Sequence, residues 1–163
     1  VIGGGDWADD RLIPDILRSF ERRKPVVVRN PKATRPWQHV LEPLSGYLIL
    51  AEKLYRDQRR YAEDWNFGPN EQDVKPVDWI LDKMIAKWPN SSWELNQNSN
   101  PHEAGFLKLD ISKAESKLGW QPVWELSHTL EKIIDWHRAW LDKEDMQAVC
   151  LVEIEEYTRD MNK

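Results

Sequence analysis

Cysteine is almost missing from this chain. Cys150 is the only one among 163 residues. That excludes an intrachain disulfide and a cysteine-built metal centre, and it suits a reducing compartment. Long apolar runs are missing as well: nothing approaches the roughly 18 consecutive apolar residues of a membrane span. No secretory leader is visible, so a cytoplasmic location off the membrane is expected. Glycine is scarce, at seven residues, and none falls in the G-x-G-x-x-G spacing that cradles dinucleotide phosphates. Gly3, Gly4 and Gly5 are contiguous and stand several residues ahead of the next helix, so they read as a sharp turn leaving a strand. The four histidines, His39, His102, His128 and His137, are scattered without an H-E-x-x-H helix or a close pair, and no metal site is expected. No serine sits in a G-x-S-x-G elbow. The chain opens at Val1 rather than at a methionine, and the natural amino terminus is expected to lie upstream.

What is present is uneven charge and much tryptophan. The net charge of −5 argues against general nucleic-acid binding. Residues 11–35 nevertheless hold eight basic side chains against Asp15 and Glu21, which leaves the remainder at −11. A local positive field in an acidic chain suits a small anionic ligand better than a long polyanion. Arg18, Arg22, Arg23 and Lys24 have a simpler reading, a solvated helix face whose basic end complements the helix dipole. Ten tryptophans supply large buried area, each with one N–H to satisfy, and most are expected in the core.

Strands and helices alternate along the chain, which predicts an α/β fold. Val1-Ile2 reads as the end of a buried strand. Asp9 or Asp10 caps a helix with Leu12, Ile13, Ile16, Leu17 and Phe20 on one face, and Pro14 is tolerated in its first turn. Val26-Val27-Val28 is a short strand. Residues 36–40 are extended, and a helix from Pro43 to about Tyr55 turns Leu44, Tyr47, Leu48, Ala51 and Leu54 inward. Residues 64–67 read as a strand and 70–75 as polar loop. A helix opening at Pro76 buries Val77, Ile80, Leu81, Met84, Ile85 and Trp88. Two more strands are expected at 93–95 and 106–109, and Asp110 caps a helix that Gly119 stops. The helix from about 127 to 141 buries Leu130, Ile133, Ile134, His137 and Leu141, with His137 a satisfied core histidine. The acidic tail from Glu144 is helical, as a surface or oligomer-contact element. The strands are few for a complete doubly wound sheet, so part of that sheet is expected outside this chain.

Arg35 is the best single candidate for function. It stands at the mouth of an extended segment, and a guanidinium matches a diphosphate bidentately while staying charged. Arg11 opens a helix whose free N–H groups favour anions.

The order Arg35-Pro36-Trp37-Gln38-His39-Val40-Leu41-Glu42, then Trp65-Asn66-Phe67-Gly68-Pro69, then Lys113 through Leu118-Gly119-Trp120-Gln121-Pro122, resembles one family. It is that of the extended short-chain dehydrogenase/reductases acting on nucleotide sugars, carboxyl-terminal part. Gly3-Gly4-Gly5-Asp6-Trp7 with Arg35-Pro36-Trp37 points within it to the CDP-glucose 4,6-dehydratases. The family motif R-D-[YW]-x-x-V-x-D has lost its first aspartate to Pro36 and ends here in Glu42. The resemblance implies a Rossmann-like fold with a smaller substrate domain. Residues 5–35 and 70–125 would be mainly substrate lobe, 36–69 a strand-helix-strand returning to the Rossmann sheet, and 126–163 carboxyl-terminal helices.

The resemblance further implies bound NAD, held mainly upstream, and conversion of CDP-glucose to its 4-keto-6-deoxy product and water by a homodimer. It also implies substrate contacts by Arg35, Arg11, Leu12, Val26, Val27, Asn66 and His102. The family's second diphosphate arginine is missing, since Ser99, Asn100 and Pro101 fill that loop. None of Tyr47, Tyr55, Tyr61 and Tyr157 has a lysine four residues on, so the family's Tyr-x-x-x-Lys relay is not here and no catalytic residue is assigned. Alone, the chain is expected to be inactive. Two alternatives stay open: another dehydratase or epimerase of the same superfamily, and a non-catalytic nucleotide-sugar-binding module.

Overall fold

The structure is a computed structural model, and it describes residues 1–96 and 105–163. Helix α1 (Leu12–Glu21) forms because Ile13, Ile16, Leu17 and Phe20 repeat at helical spacing and all are buried. Neither Asp9 nor Asp10 caps it; the N-cap position is Arg11, without a side-chain hydrogen bond. Asp10 instead takes a left-handed φ of 58°, and the two aspartates pair with Arg18 and Arg29.

Strand β1 (Val26–Val28) pairs in parallel with β4 (Trp93–Leu95), with Val26 opposite Trp93 and Val28 opposite Leu95. Strand β2 (Thr34–Pro36) pairs antiparallel with β3 (Val74–Pro76), and Arg35 lies directly opposite Lys75. Residues 70–75, expected as polar loop, are therefore a 3-10 turn (Glu71–Asp73) running into a strand. On its other side β2 makes a single parallel bridge, Thr34 to Phe106. That bridge is all the β structure in the expected strand 106–109.

The extended stretch expected at 36–40 is shorter than foreseen. Pro36 has no N–H to continue the ladder, and beyond it only a parallel bridge between Ile2 and His39 remains. Residues 64–67 are irregular rather than a strand, and Gln38 Nε2 reaches over to the Phe67 carbonyl at 2.7 Å.

Helices α4 (Val77–Lys87) and α5 (Leu126–Leu141) complete the main core. Ile80, Leu81, Met84, Leu130, Ile133 and Ile134 meet α1 and β1 there. Leu141 is the exception, exposed at the end of its helix. A second core gathers Tyr61, Phe67, Ile111, Ala114, Leu118 and Trp120 against helix α2 (Leu41–Arg56). Short helix α3 (Gln58–Tyr61) supplies Tyr61, and a π-helical turn at Ala114–Leu118 stands where an ordinary helix is expected. Gly119 closes that turn at φ 70°, as the sequence predicts.

Helix α2 meets expectation only at Leu54 and otherwise faces the opposite way. Leu44, Tyr47, Leu48, Ala51 and Tyr55 are exposed, while Ile49, Leu50 and Leu54 pack on the second core. The helix is apolar on two sides, as in an element that lies between two layers. Helix α6 (Met146–Met161) docks back on the rest through Tyr157, its one buried residue. Among the described residues no helix is long and apolar enough to cross a membrane.

Candidate functional site

Arg35 sits half-buried in the middle of β2. Its Nη1 donates to the Thr34 carbonyl at 2.9 Å, and among the described residues no carboxylate lies within ion-pair distance of it. Three other cations of this region are already paired: Lys32 with Asp78 at 2.6 Å, Arg29 with Asp10 at 3.8 Å, and Lys108 with Glu71. Arg35 thus keeps donors in its planar fork for an incoming anion.

The rest of the motif turns inward. His39 is buried; its Nδ1 accepts the Leu41 N–H at 3.3 Å, and its Nε2 lies 3.3 Å from Glu153 Oε1 without hydrogen-bond geometry. Glu42 is fully buried and accepts the N–H groups of Val123 (3.0 Å) and Trp124 (2.8 Å) and the Tyr157 hydroxyl (2.8 Å). Ser45 Oγ lies 3.1 Å from that hydroxyl and accepts the Trp120 indole N–H at 3.0 Å. Burial raises the Glu42 pKa, and its hydrogen bonds pull it back only partly. Burial, with the Glu42 charge beside it, also pushes the Tyr157 phenol well above its ordinary value, so it stays a neutral donor. One motif therefore splits into an outward arginine and an inward acid that fixes the start of α2.

The other candidates occupy separate places. Arg11 is exposed at the foot of α1, and Leu12 packs partly on the main core. Val26 is buried in that core, whereas the Val27 side chain is 56% exposed; of the two, only Val27 offers a methyl face to a ligand. Asn66 is exposed and its amide donates to the Asp110 carbonyl at 3.3 Å. Beside it runs an open groove of about 540 Å³ lined by Pro69–Glu71, Lys108–Ser112 and Glu115. Along it the Asp110 carboxyl is held below the usual range by the Ser112 hydroxyl and N–H, and Glu71 by Lys108. His102 lies outside the described residues.

The glycine run makes no cradle. A Cβ on Gly4 would meet Trp136 at 2.2 Å and one on Gly3 would meet Val40 at 2.9 Å, while Gly5 turns at φ 75°. Side chains of Val40 and Trp136 pack directly on this run. One histidine–carboxylate group occurs among the described residues, His128, Glu156 and Asp160, with ligand atoms within 4.8 Å of one another. Lys132 already pairs with its Glu156 and Lys163 with its Asp160.

Sequence reasoning missed that Lys75 lies opposite Arg35 and that Tyr157 meets Glu42. Lys75 hides in a three-residue strand flanked by proline. Tyr157 lies 115 residues from Glu42, beyond any local pattern.

Comparison with known proteins places the arrangement. No family model matches the chain. It is 55% identical over 158 residues to the CDP-glucose 4,6-dehydratase of Salmonella typhimurium, covering 96% of this chain and 44% of that protein. The fold is similar to that of the UDP-glucuronic acid 4-epimerase from Bacillus cereus solved with UDP-glucuronic acid and NAD. There the TM-score is 0.64 at 22% identity, over 80% of this chain and 40% of that one. It is also similar to a dTDP-glucose 4,6-dehydratase from Bacillus anthracis solved with NAD, at TM-score 0.63 and 16% identity over 83% and 41%. The chain spans less than half the length of each. By sequence and by fold it belongs to the extended short-chain dehydrogenase/reductases of the nucleotide-sugar branch, beside the CDP-glucose 4,6-dehydratases, and it corresponds to their carboxyl-terminal part.

Proposed function

We propose that this chain is the substrate-binding part of an NAD-dependent nucleotide-sugar 4,6-dehydratase, with CDP-glucose as the substrate and CDP-4-keto-6-deoxyglucose and water as products. The 55% identity across 96% of the chain carries the choice of reaction, and the unneutralised guanidinium of Arg35 supports its reading as the diphosphate contact. In this reading the sugar is oxidised at C4, loses water across C5–C6, and is reduced at C6. NAD supplies the hydride exchange when bound. The described residues of this chain offer it no phosphate cradle, so their part is to hold the substrate still. Arg35 takes the diphosphate, and Arg11, Leu12, Val26, Val27, Asn66 and His102 shape the nucleotide-sugar pocket. Val26 can contribute only its backbone, because its side chain is in the core.

The test uses the complete polypeptide that carries this chain, given CDP-glucose, dTDP-glucose and UDP-glucose with NAD. 4-Keto product from CDP-glucose alone is expected. Arg35→Ala removes a charge-assisted contact of about 1.5–3 kcal/mol, so it should weaken substrate binding by ~10- to 100-fold. Saturable CDP-glucose binding with no turnover would replace the dehydratase by a binding module, and product from another sugar would reassign the substrate.

A further inference from the structure

Resting on the nucleotide-sugar reading, we infer that Lys75 is the second cation of the phosphate site and acts with Arg35 on one diphosphate. The register of β2 and β3 places these two residues directly opposite each other. Directly opposed residues of an antiparallel pair project from the same face of the sheet, and like charges there oppose folding. No direct ion pair offsets that repulsion: among the described residues no carboxylate lies within ion-pair distance of either one, and the Asp73 charge reaches Lys75 only at longer range. Asp73, two residues before Lys75, is buried and gives its carboxylate to the Leu126 N–H at 3.1 Å. Two opposed cations without an acid between them form a site of charge +2, matching the roughly two negative charges of a diphosphate bridging two groups.

The frame around the pair is fixed. The Trp37 indole N–H donates to the Lys75 carbonyl at 2.9 Å, and Pro36 and Pro76 stiffen both strands. The Val77 N–H donates to the Ala33 carbonyl at 3.1 Å, which ties the start of α4 to β2. The Lys75 ammonium rests 5.7 Å from the centre of the Trp79 ring. A ring face holds a cation weakly while leaving its three N–H donors unspent, so the ammonium is parked beside the site and free to swing to a phosphate.

The experiment is calorimetric titration of CDP and of CMP into the complete polypeptide, as wild type, Lys75→Gln and Lys75→Arg, with the melting temperature of each protein without ligand. Lys75→Gln is expected to weaken CDP by about 10-fold and CMP by much less. Lys75→Arg should bind CDP within about threefold of wild type. Ligand-free Lys75→Gln should melt no lower than wild type, because a repulsion has gone. Unchanged CDP affinity in Lys75→Gln, with wild type binding normally, would overturn this role and leave the nucleotide-sugar reading standing. A lower melting temperature with equal weakening of CDP and CMP would make Lys75 a structural residue. Wild type that binds no CDP would remove both readings together.

Discussion

Glu42 shows what one residue can do beneath a recognition motif. Both of its oxygens accept N–H groups and one also takes the Tyr157 hydroxyl, so the site wants an acceptor at every point. Glu42→Gln keeps the shape but sets an NH2 against a donor. It should cost about 1–3 kcal/mol of stability, measurable by urea unfolding. The pH dependence has a definite sign. Burial raises the Glu42 pKa above its ordinary 4.5, so the folded protein holds this proton more tightly than the unfolded chain. Its stabilising contribution is complete below about pH 4.5 and is lost as pH rises through the raised value. The gap between wild type and Glu42→Gln should therefore narrow from acid toward neutral pH; a gap that widens would contradict the burial effect. At this scale the sequence was partly legible. His137 is a core histidine as its apolar face predicts, and its Nε2 lies at hydrogen-bond distance, 2.8 Å, from Glu21 Oε1. The burial of Glu42 and the placement of Lys75 opposite Arg35 were not legible. They depend on partners that only the folded chain brings near.

Among elements, α1, α4 and α5 were legible because each repeats its apolar residues on one side. Helix α2 was not, since Leu44, Tyr47 and Leu48 make as good a stripe as Ile49, Leu50 and Leu54. What decides its orientation is Gly46, where a Cβ would meet the Phe67 ring at 2.4 Å. The helix approaches residues 64–67 so closely there that only hydrogen fits. Gly46→Ala should destabilise by about 1–3 kcal/mol through overpacking, although alanine favours helix in isolation. Thermal unfolding decides between the two, and a raised melting temperature would mean that the ring moves aside freely. Strand β3 escaped notice because three residues ending in proline carry almost no periodic signal.

For the whole molecule, the uncovered side of α2 sets behaviour in solution. Leu48 is 73% exposed and Tyr55 90%, with exposed Leu44 and Tyr47 in the turn before Leu48. Contiguous apolar surface of this kind drives association. The chain expressed alone is expected to self-associate at micromolar concentration, and the double substitution Leu44→Glu with Leu48→Glu should reduce it without unfolding the protein. Light scattering with circular dichroism reads both; equal scattering from the two proteins would acquit this stripe. The α/β class was legible because element order survives in any half of such a fold. Its few, short strands were equally legible as a sign that sheet partners lie elsewhere. The bond from Tyr157 to Glu42 also has a bearing on synthesis. A ribosome delivers α2 first, and the groups that complete the burial of Glu42 come 81, 82 and 115 residues after it. Until α6 emerges, a nascent chain must either leave that carboxylate in water, with α2 undocked, or bury it short of a partner. The start of α2 is thus fixed only once α6 has followed it, and a ribosome stalled before Tyr157 would present a chain in which Glu42 still lacks one of its three partners.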